Sequence, residues 1–160
     1  MVLKMKRTIQ INESAGMKLK NVIIKEIPTD GADIPEELKR LDSIAKVLGF
    51  RLKGPQVIKR WPEVEGDDIV ERTALVIQCE GSVPKDLPPD IEYSEEIHSG
   101  KSIFVDFTGR ENALGIVSNK IAVYAYENDI ELTGEAYTII LNKEENIVNV
   151  NVHCPIAGRK

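Results

Sequence analysis

The sequence predicts an α+β fold made of two strand–helix–strand–strand repeats related by a pseudo-twofold axis, with the helices on one face of a mainly antiparallel sheet. The main observation is internal similarity: GFRLKGPQVIKRW (49–61) aligns with DIELTGEAYTIIL (129–141), which begins half of the 160-residue chain later. In each half this segment follows a helical pattern and precedes a strand pattern. Short connections between such elements favour helices packed against an antiparallel sheet.

The first half begins with two predicted strands, TIQINE (8–13) and NVIIKEI (21–27), which are rich in β-branched residues. A helix follows from about 35 to 48, because apolar residues recur at three- and four-residue spacing. Asp33 is the expected N-cap of this helix, Pro35 fits its first turn, and Gly49 is its expected stop.

A longer turn around PEVEGDD (62–68) then separates the strand of the aligned segment from the strand ERTALVIQCEG (71–81). In the second half, IEYSEEI (91–97) and SIFVDF (102–107) predict strands, and a helical stripe covers about 110–127. The last strand lies in NIVNVNVHCPI (146–156), where Cys154 aligns with Cys79 of the first half.

These elements predict a single domain, 1–160, made of one repeat at about 8–81 and another at about 91–157. The Pro-rich segment 82–90 links the repeats and is too short to separate them. A repeat of this size does not bury its apolar face alone, so we expect the two to pack side by side.

Composition indicates a cytoplasmic protein that binds neither nucleic acid nor membrane. The net charge of −5 does not favour phosphate contacts, and no apolar run is long enough for a membrane span or a signal peptide. Cys79 and Cys154 are isolated and predict buried, reduced thiols. No cofactor or metal site is predicted, since the sequence has no P-loop or dinucleotide fingerprint, and its acidic loop at 63–68 matches no metal loop.

The last strand alternates in a way that raises a functional question. Its apolar positions, among them Val152, should face the helices, and Asn149, Asn151 and His153 should face the other way. Together with residues of the neighbouring strands, they give that face a mixture of apolar and hydrogen-bonding groups, as in a small-molecule pocket. We therefore expect a groove between the two repeats.

Six residues are candidates for ligand binding. His153 and Gln78 occupy equivalent positions on the groove face, and Trp61 and Arg60 end a neighbouring strand. Trp61 offers an aromatic wall and Arg60 a partner for an anion. The full set is Arg60, Trp61, Gln78, Tyr137, Asn151 and His153. Each also has a structural interpretation, as a core or surface residue, and strand parity places Tyr137 on the core side.

The segment GEAYTIILNKEENIVNVNVHCPIA (134–157) resembles the closing pattern of the GyrI-like small-molecule-binding domain of the bacterial effector-binding domain superfamily. The resemblance extends from about 8 to 157. It implies two strand–helix–strand–strand repeats with a ligand held between them and a ligand-reading position at Asn151, and Tyr137 matches an aromatic residue of the family's pattern. The sequence departs from the pattern where members commonly carry Glu, here Asn151, and where they often carry Tyr, here Ile140.

Three functions follow from the residues and the resemblance. The first is a stand-alone protein that binds a small hydrophobic or amphiphilic ligand without catalysis and without a DNA-binding region, because the repeats occupy nearly the whole chain. The second is a protein–protein interaction module, like gyrase inhibitors of the family. The third is a small-molecule hydrolase, although Asn151 cannot act as a base where relatives carry Glu.

Overall fold

Nine β-strands and two α-helices make up the computed structural model of the chain, which describes residues 9–159. In chain order the elements are β1 (Gln10–Ser14), β2 (Lys18–Ile27), α1 (Ile34–Leu48), β3 (Arg51–Glu65), β4 (Asp68–Glu80), β5 (Ile91–His98), β6 (Ser102–Arg110), α2 (Leu114–Glu127), β7 (Ile130–Leu132), β8 (Ala136–Glu144) and β9 (Ile147–Arg159). A single 3-10 turn, Glu111–Ala113, leads into α2.

The chain divides into two compact units. The continuous unit holds Lys18–Ile97, and the split unit combines the described residues up to Met17 with those from His98 onward. The strand order is β3-β4-β2-β5 in the continuous unit and β1-β6-β9-β8 in the split unit, where β7 also pairs with β9. Each leading strand, β1 or β5, therefore belongs to a unit whose other strands come from the opposite half of the sequence.

The predicted fold class is wrong beyond its general α+β character. Strands account for 56% of the described residues, which hold only two α-helices, and these helices do not lie on one face as parts of two repeats. Instead, α1 contacts β3 within the continuous unit, and α2 contacts β6 and β7 within the split unit. The prediction of one domain built from repeats at 8–81 and 91–157 stays a prediction.

Some of the residues that are in strands but were not predicted to be lie in the β3–β4 hairpin. The sequence there indicates a long turn. Pairing continues from Pro62 opposite Glu71 to Glu65 opposite Asp68, so only 66 and 67 form the turn. Two of the acidic residues that make this segment look like a turn, Glu63 and Glu65, form ion pairs with Arg72 on the facing strand. Arg72 Nε lies 2.9 Å from Glu63 Oε2.

The first helix begins and ends as predicted. Asp33 Oδ1 accepts a hydrogen bond from the backbone N–H of Glu36 at 3.2 Å, and Pro35 occupies the first turn. Gly49 adopts a left-handed conformation with φ 87° and donates its N–H to the carbonyl of Ala45. In residues 9–159, neither helix has the length and apolar character needed to cross a membrane.

The core of the split unit lies between α2 and one face of its sheet. As predicted, Val152 and the alternate residues of β9 face this core. Its buried members are Ile103, Val105, Phe107, Val117, Ile121, Ala125, Ile130, Val148, Val150, Val152 and Cys154. Full burial of each large aliphatic side chain contributes about 1.5–3 kcal/mol. Because α2 covers this face, the alternate residues of β6, β8 and β9 project from the opposite one.

Candidate functional site

A row of three ring-bearing side chains crosses the split-unit sheet on the face opposite the core. His153 of β9 pairs directly with Phe104 of β6 and with Tyr137 of β8. Side chains of directly paired residues project from the same side of an antiparallel sheet. We call this set the aromatic row.

A polar row lies beside the aromatic row on the same face. Asn151 of β9 pairs with Asp106 of β6 and with Ile139 of β8. All three side chains are partly buried. The polar row therefore combines a carboxylate, which accepts hydrogen bonds, with an amide, which both donates and accepts them. The two rows together are called the site face below.

A hydrogen-bonded pair lies next to the polar row, on the same side of the sheet. Thr108 and Asn149 are directly paired across β6 and β9, and the Thr108 hydroxyl donates to Asn149 Oδ1 at 3.2 Å. Asn149 is thus engaged within the sheet.

His153 and Tyr137 are deeply buried for polar residues. Their exposed fractions are 8% and 4%. The Phe104 ring lies 5.0 Å from the His153 ring, centroid to centroid, and the Tyr137 hydroxyl donates to Glu135 Oε2 at 3.4 Å. Burial lowers the pKa of His153 below its ordinary value of 6.5, because removing water disfavours the imidazolium. Burial therefore favours the neutral form of the ring.

The structure brings together three of the six candidates, namely Tyr137, Asn151 and His153. Asn151 and His153 project away from the core, as predicted. The expectation that Tyr137 faces the core is wrong, because its pairing with His153 places it on the site face, and it is Ala136 and Ile140 that pack against the core. Strand parity alone cannot identify the face of β8, which depends on its register with β9.

Gln78 is the candidate whose role is most clearly structural. It lies on β4 in the continuous unit, and its Oε1 accepts a hydrogen bond from the backbone N–H of Lys20 at 3.1 Å. The predicted equivalence between Gln78 and His153 does not extend to their hydrogen bonds, since the side chain of Gln78 ties two segments of the backbone together.

Arg60 and Trp61 also belong to the continuous unit and do not form one cluster. As successive residues of β3, they project from opposite sides of the sheet. Arg60 is exposed, and its Nε lies 3.7 Å from Glu71 Oε1. Trp61 is partly exposed, and the Lys59 ammonium lies 5.1 Å from the centre of its ring, a cation–π contact.

Sequence reasoning missed three members of the site face, namely Ile139, Phe104 and Asp106. Phe104 and Asp106 lie in SIFVDF, which predicts a strand but suggests no functional residue. The available signal was the single carboxylate at Asp106, which alternates with Val105 and Phe107 of the core. Since β6 pairs with β9, that carboxylate lies opposite Asn151, the position at which the resemblance leads one to expect an acid.

The site face offers hydrogen bonding and apolar contact rather than metal ligation. Within residues 9–159, no group of three or more His, Cys, Asp or Glu side chains is arranged to hold a metal ion. The remaining chemistry is that of a neutral imidazole, an amide, a carboxylate and two aromatic rings.

Comparison with known proteins identifies similar folds but no family. No family model and no curated protein matches the chain. A chain of the cryo-EM structure of the EcmrR–DNA complex in EcmrR-RPo is similar over 96% of this chain and 58% of its own length, with a TM-score of 0.62 and 12% identity. The similarity thus spans less than two thirds of the length of that chain.

Two crystal structures of hydrolases from Listeria innocua, one of them encoded by lin2189, have the same fold. Each is similar over 96% of this chain and is 12% identical to it. The similarity covers 94% and 93% of the hydrolase chains, with TM-scores of 0.55 and 0.52. At this identity, the three similarities establish the fold of the chain and leave its chemistry to be argued from its own residues.

Proposed function

We propose that the chain binds a small, largely apolar molecule on the site face of the split unit. The observation that carries this proposal is the burial of His153 and Tyr137 on the side of the sheet that the α2 core does not use. Burial of polar side chains away from the main core is energetically unfavourable unless other interactions offset it. A ligand-binding role supplies a reason to keep them there.

The composition of the site face fits this function. Small-molecule sites are mostly apolar and contain a few polar groups that fix the orientation of the ligand. Phe104 and Ile139, which are only partly buried, provide apolar surface, and His153 and Asn151 provide hydrogen bonds. The GyrI-like resemblance supports the same function, because its ligand-reading position falls on Asn151. The groove predicted between the repeats stays a prediction.

The charge of Asp106 bears on which ligands the site face could bind. Asn151 cannot neutralise a cation, but the carboxylate directly opposite it on β6 can. We therefore include cationic amphiphiles among the molecules to be tested.

A thermal-shift and calorimetric screen of apolar, cationic and anionic compounds tests the function. A ligand should raise the melting temperature of the unmodified chain in a saturable way, and the Asn151→Ala, His153→Ala double variant should lose this effect. The matched control is Asn119→Ala, His98→Ala, which removes the same side chains from exposed positions. Equal binding by both double variants would place the ligand elsewhere and reject the site.

The variant Asp106→Asn tests whether the charge of the ligand contributes to binding, because it removes a charge from the site face and keeps the shape of the side chain. If the ligand is a cation, this isosteric change should weaken binding by about 1.5–3 kcal/mol, the range for hydrogen bonds to charged groups. Asp67→Asn, in the exposed β3–β4 turn, is the control for a change in net charge alone. Unchanged cation binding in the Asp106 variant would remove this carboxylate from the site.

Hydrolysis is a second candidate, favoured by the similarity to the two Listeria hydrolases and by the presence of both a carboxylate and a neutral imidazole on the site face. Either group can take a proton from water as its oxygen attacks an ester carbonyl. Release of p-nitrophenol from p-nitrophenyl acetate provides an assay. A rate that is the same in the unmodified chain, Asp106→Asn and His153→Gln would exclude this candidate. The protein-interaction hypothesis stays a prediction.

A further inference from the structure

One ring nitrogen of His153 is buried without a hydrogen-bond partner. Nδ1 is inaccessible to solvent, and no residue within 9–159 offers it a hydrogen bond. Nε2 is not among the buried unpartnered atoms. The two nitrogens of this ring therefore have different surroundings, which decides where the proton lies.

A proton on Nδ1 would bury an N–H group that has no acceptor. Buried N–H groups without an acceptor are rare in folded proteins, and under-satisfied acceptors are somewhat less rare. The neutral tautomer with its proton on Nε2 avoids the orphaned donor, whereas both the other neutral tautomer and the imidazolium carry one. The environment of Nδ1 thus selects the Nε2–H tautomer.

We propose that His153 serves as a fixed hydrogen-bond donor through Nε2 and selects ligands that present an acceptor atom to it. This inference rests on the proposed function of the site face. The ligand class that fits is a flat apolar molecule with an oxygen or nitrogen acceptor at its edge. The partly exposed ring of Phe104, 5.0 Å from the His153 ring, gives the flat portion its contact.

The charged groups nearest in the sheet do not reverse this assignment. Asp106 on β6 and Glu135, which precedes β8, are the carboxylates next to the aromatic row, and Tyr137 is the other titratable member of that row. A carboxylate favours the imidazolium. However, none of these groups accepts a hydrogen bond from Nδ1, and burial lowers the pKa of His153. The neutral donor form is favoured as a result.

The tautomer can be measured on the unmodified chain without a ligand. The chain has two histidines, so long-range ¹H–¹⁵N correlation spectra contain two imidazole patterns, assigned through His98→Gln. For His153 we expect the pattern of a neutral ring protonated on Nε2 at pH 7. The exposed His98, whose Nδ1 accepts a hydrogen bond from the Gly100 N–H at 3.0 Å, is the internal reference. A ring protonated on Nδ1, or a charged ring, would overturn the inference.

Ligand selection is measured with quinoline and indole, two bicyclic aromatic probes of similar size. Quinoline has an acceptor nitrogen and no donor, whereas indole has an N–H donor and no comparable acceptor. Quinoline should bind about tenfold more tightly, the ratio that one additional hydrogen bond gives, and should shift the His153 Nε2 resonance. Binding alone would not show which residue contacts the probe, because Asp106 could accept a hydrogen bond from the indole N–H. The shift of the Nε2 resonance identifies contact with His153.

Two variants distinguish a donor from a structural role. His153→Gln carries an amide nitrogen near the former Nε2 position and should retain the preference for quinoline. His153→Asn places its amide near Nδ1 and should lose the preference. Equal binding of both probes, or tighter binding of indole, would overturn the inference and leave the proposed function standing. If neither probe shifts any resonance of the site face, the inference fails, and the compound screen described above decides the proposed function.

Discussion

The rings of Phe104 and His153 lie 5.0 Å apart at an interplanar angle of 46°, on directly paired residues of β6 and β9. This contact connects the fold to the chemistry of the site. Strand pairing places an aromatic ring beside the buried imidazole, and burial disfavours the charged form of the imidazole. Properties of His153 should therefore respond to changes at Phe104.

Phe104→Ala should raise the pKa of His153 towards its ordinary value, because water can then reach the imidazole. The measurement is an NMR titration of the His153 Hε1 resonance, with His98 in the same spectra as a reference. Tyr126→Ala removes an aromatic side chain from a highly exposed position on α2 and should leave the titration unchanged. An unshifted pKa in Phe104→Ala would show that another group desolvates the ring.

His153 should also make the stability of the chain depend on pH. Its pKa is lower in the folded chain than the ordinary 6.5 expected after unfolding, so between these values the unfolded chain binds more protons. Stability from this residue is complete above pH 6.5, falls as the pH falls through 6.5, and levels off below the folded pKa. Urea unfolding at pH 7.5, 6.5 and 5.5 measures the effect.

His153→Gln is the variant for this test, because glutamine does not titrate. The difference in unfolding free energy between the unmodified chain and the variant should change between pH 7.5 and 5.5 in favour of the variant. Asn119→Gln, at an exposed position, introduces glutamine without removing a titratable group; it is the matched control and should show no such change. A difference that stays constant with pH for His153→Gln would contradict the prediction.

The two thiols should be unreactive in the folded chain. Cys79 and Cys154 are both free and buried, and desolvation raises the pKa of each to about 11. Since the thiolate is the reactive species, iodoacetamide at pH 8 should label neither residue in native protein and both after denaturation in urea. Rapid labelling of one thiol under native conditions would show local opening. The variants Cys79→Ala and Cys154→Ala would identify which of the two thiols reacts.

Features with local causes could be predicted from the sequence. The start and end of α1 follow from Asp33, Pro35 and Gly49, whose effects depend on the neighbouring turn of backbone. The core face of β9 follows from an uninterrupted alternation that ends at Cys154. In each case the residues that decide the structure are within a few positions of one another.

Features decided by pairing could not be predicted in this way. The face of Tyr137 depends on the register between β8 and β9, which also shifts between Ile140 and Asn142. The position of Asp106 opposite Asn151 depends on the pairing of two strands far apart in sequence. A period of two assigns residues to alternate faces but does not identify which neighbour each residue meets.

A close backbone approach at Gly16 gives the last prediction. Gly16 has φ +101°, and a Cβ atom there would lie 1.9 Å from the carbonyl oxygen of Gly100. The two segments are held together by hydrogen bonds, since the Met17 N–H donates to Ser99 Oγ at 2.7 Å and the Ser99 N–H donates to the Met17 carbonyl at 2.9 Å. Backbone at this distance cannot move aside as a flexible side chain would.

Gly16→Ala should therefore lower the unfolding free energy by about 3 kcal/mol or more, through strain at a special φ together with a backbone clash. Gly100→Ala is the matched control in the same pair of segments. It also has a positive φ, +72°, but a Cβ there meets no atom within 4 Å, so its cost should be about 1–2 kcal/mol for the left-handed conformation alone. Urea unfolding followed by circular dichroism measures both variants. Equal losses would show that the backbone conformation, and not the contact between Gly16 and Gly100, sets the requirement for glycine at position 16.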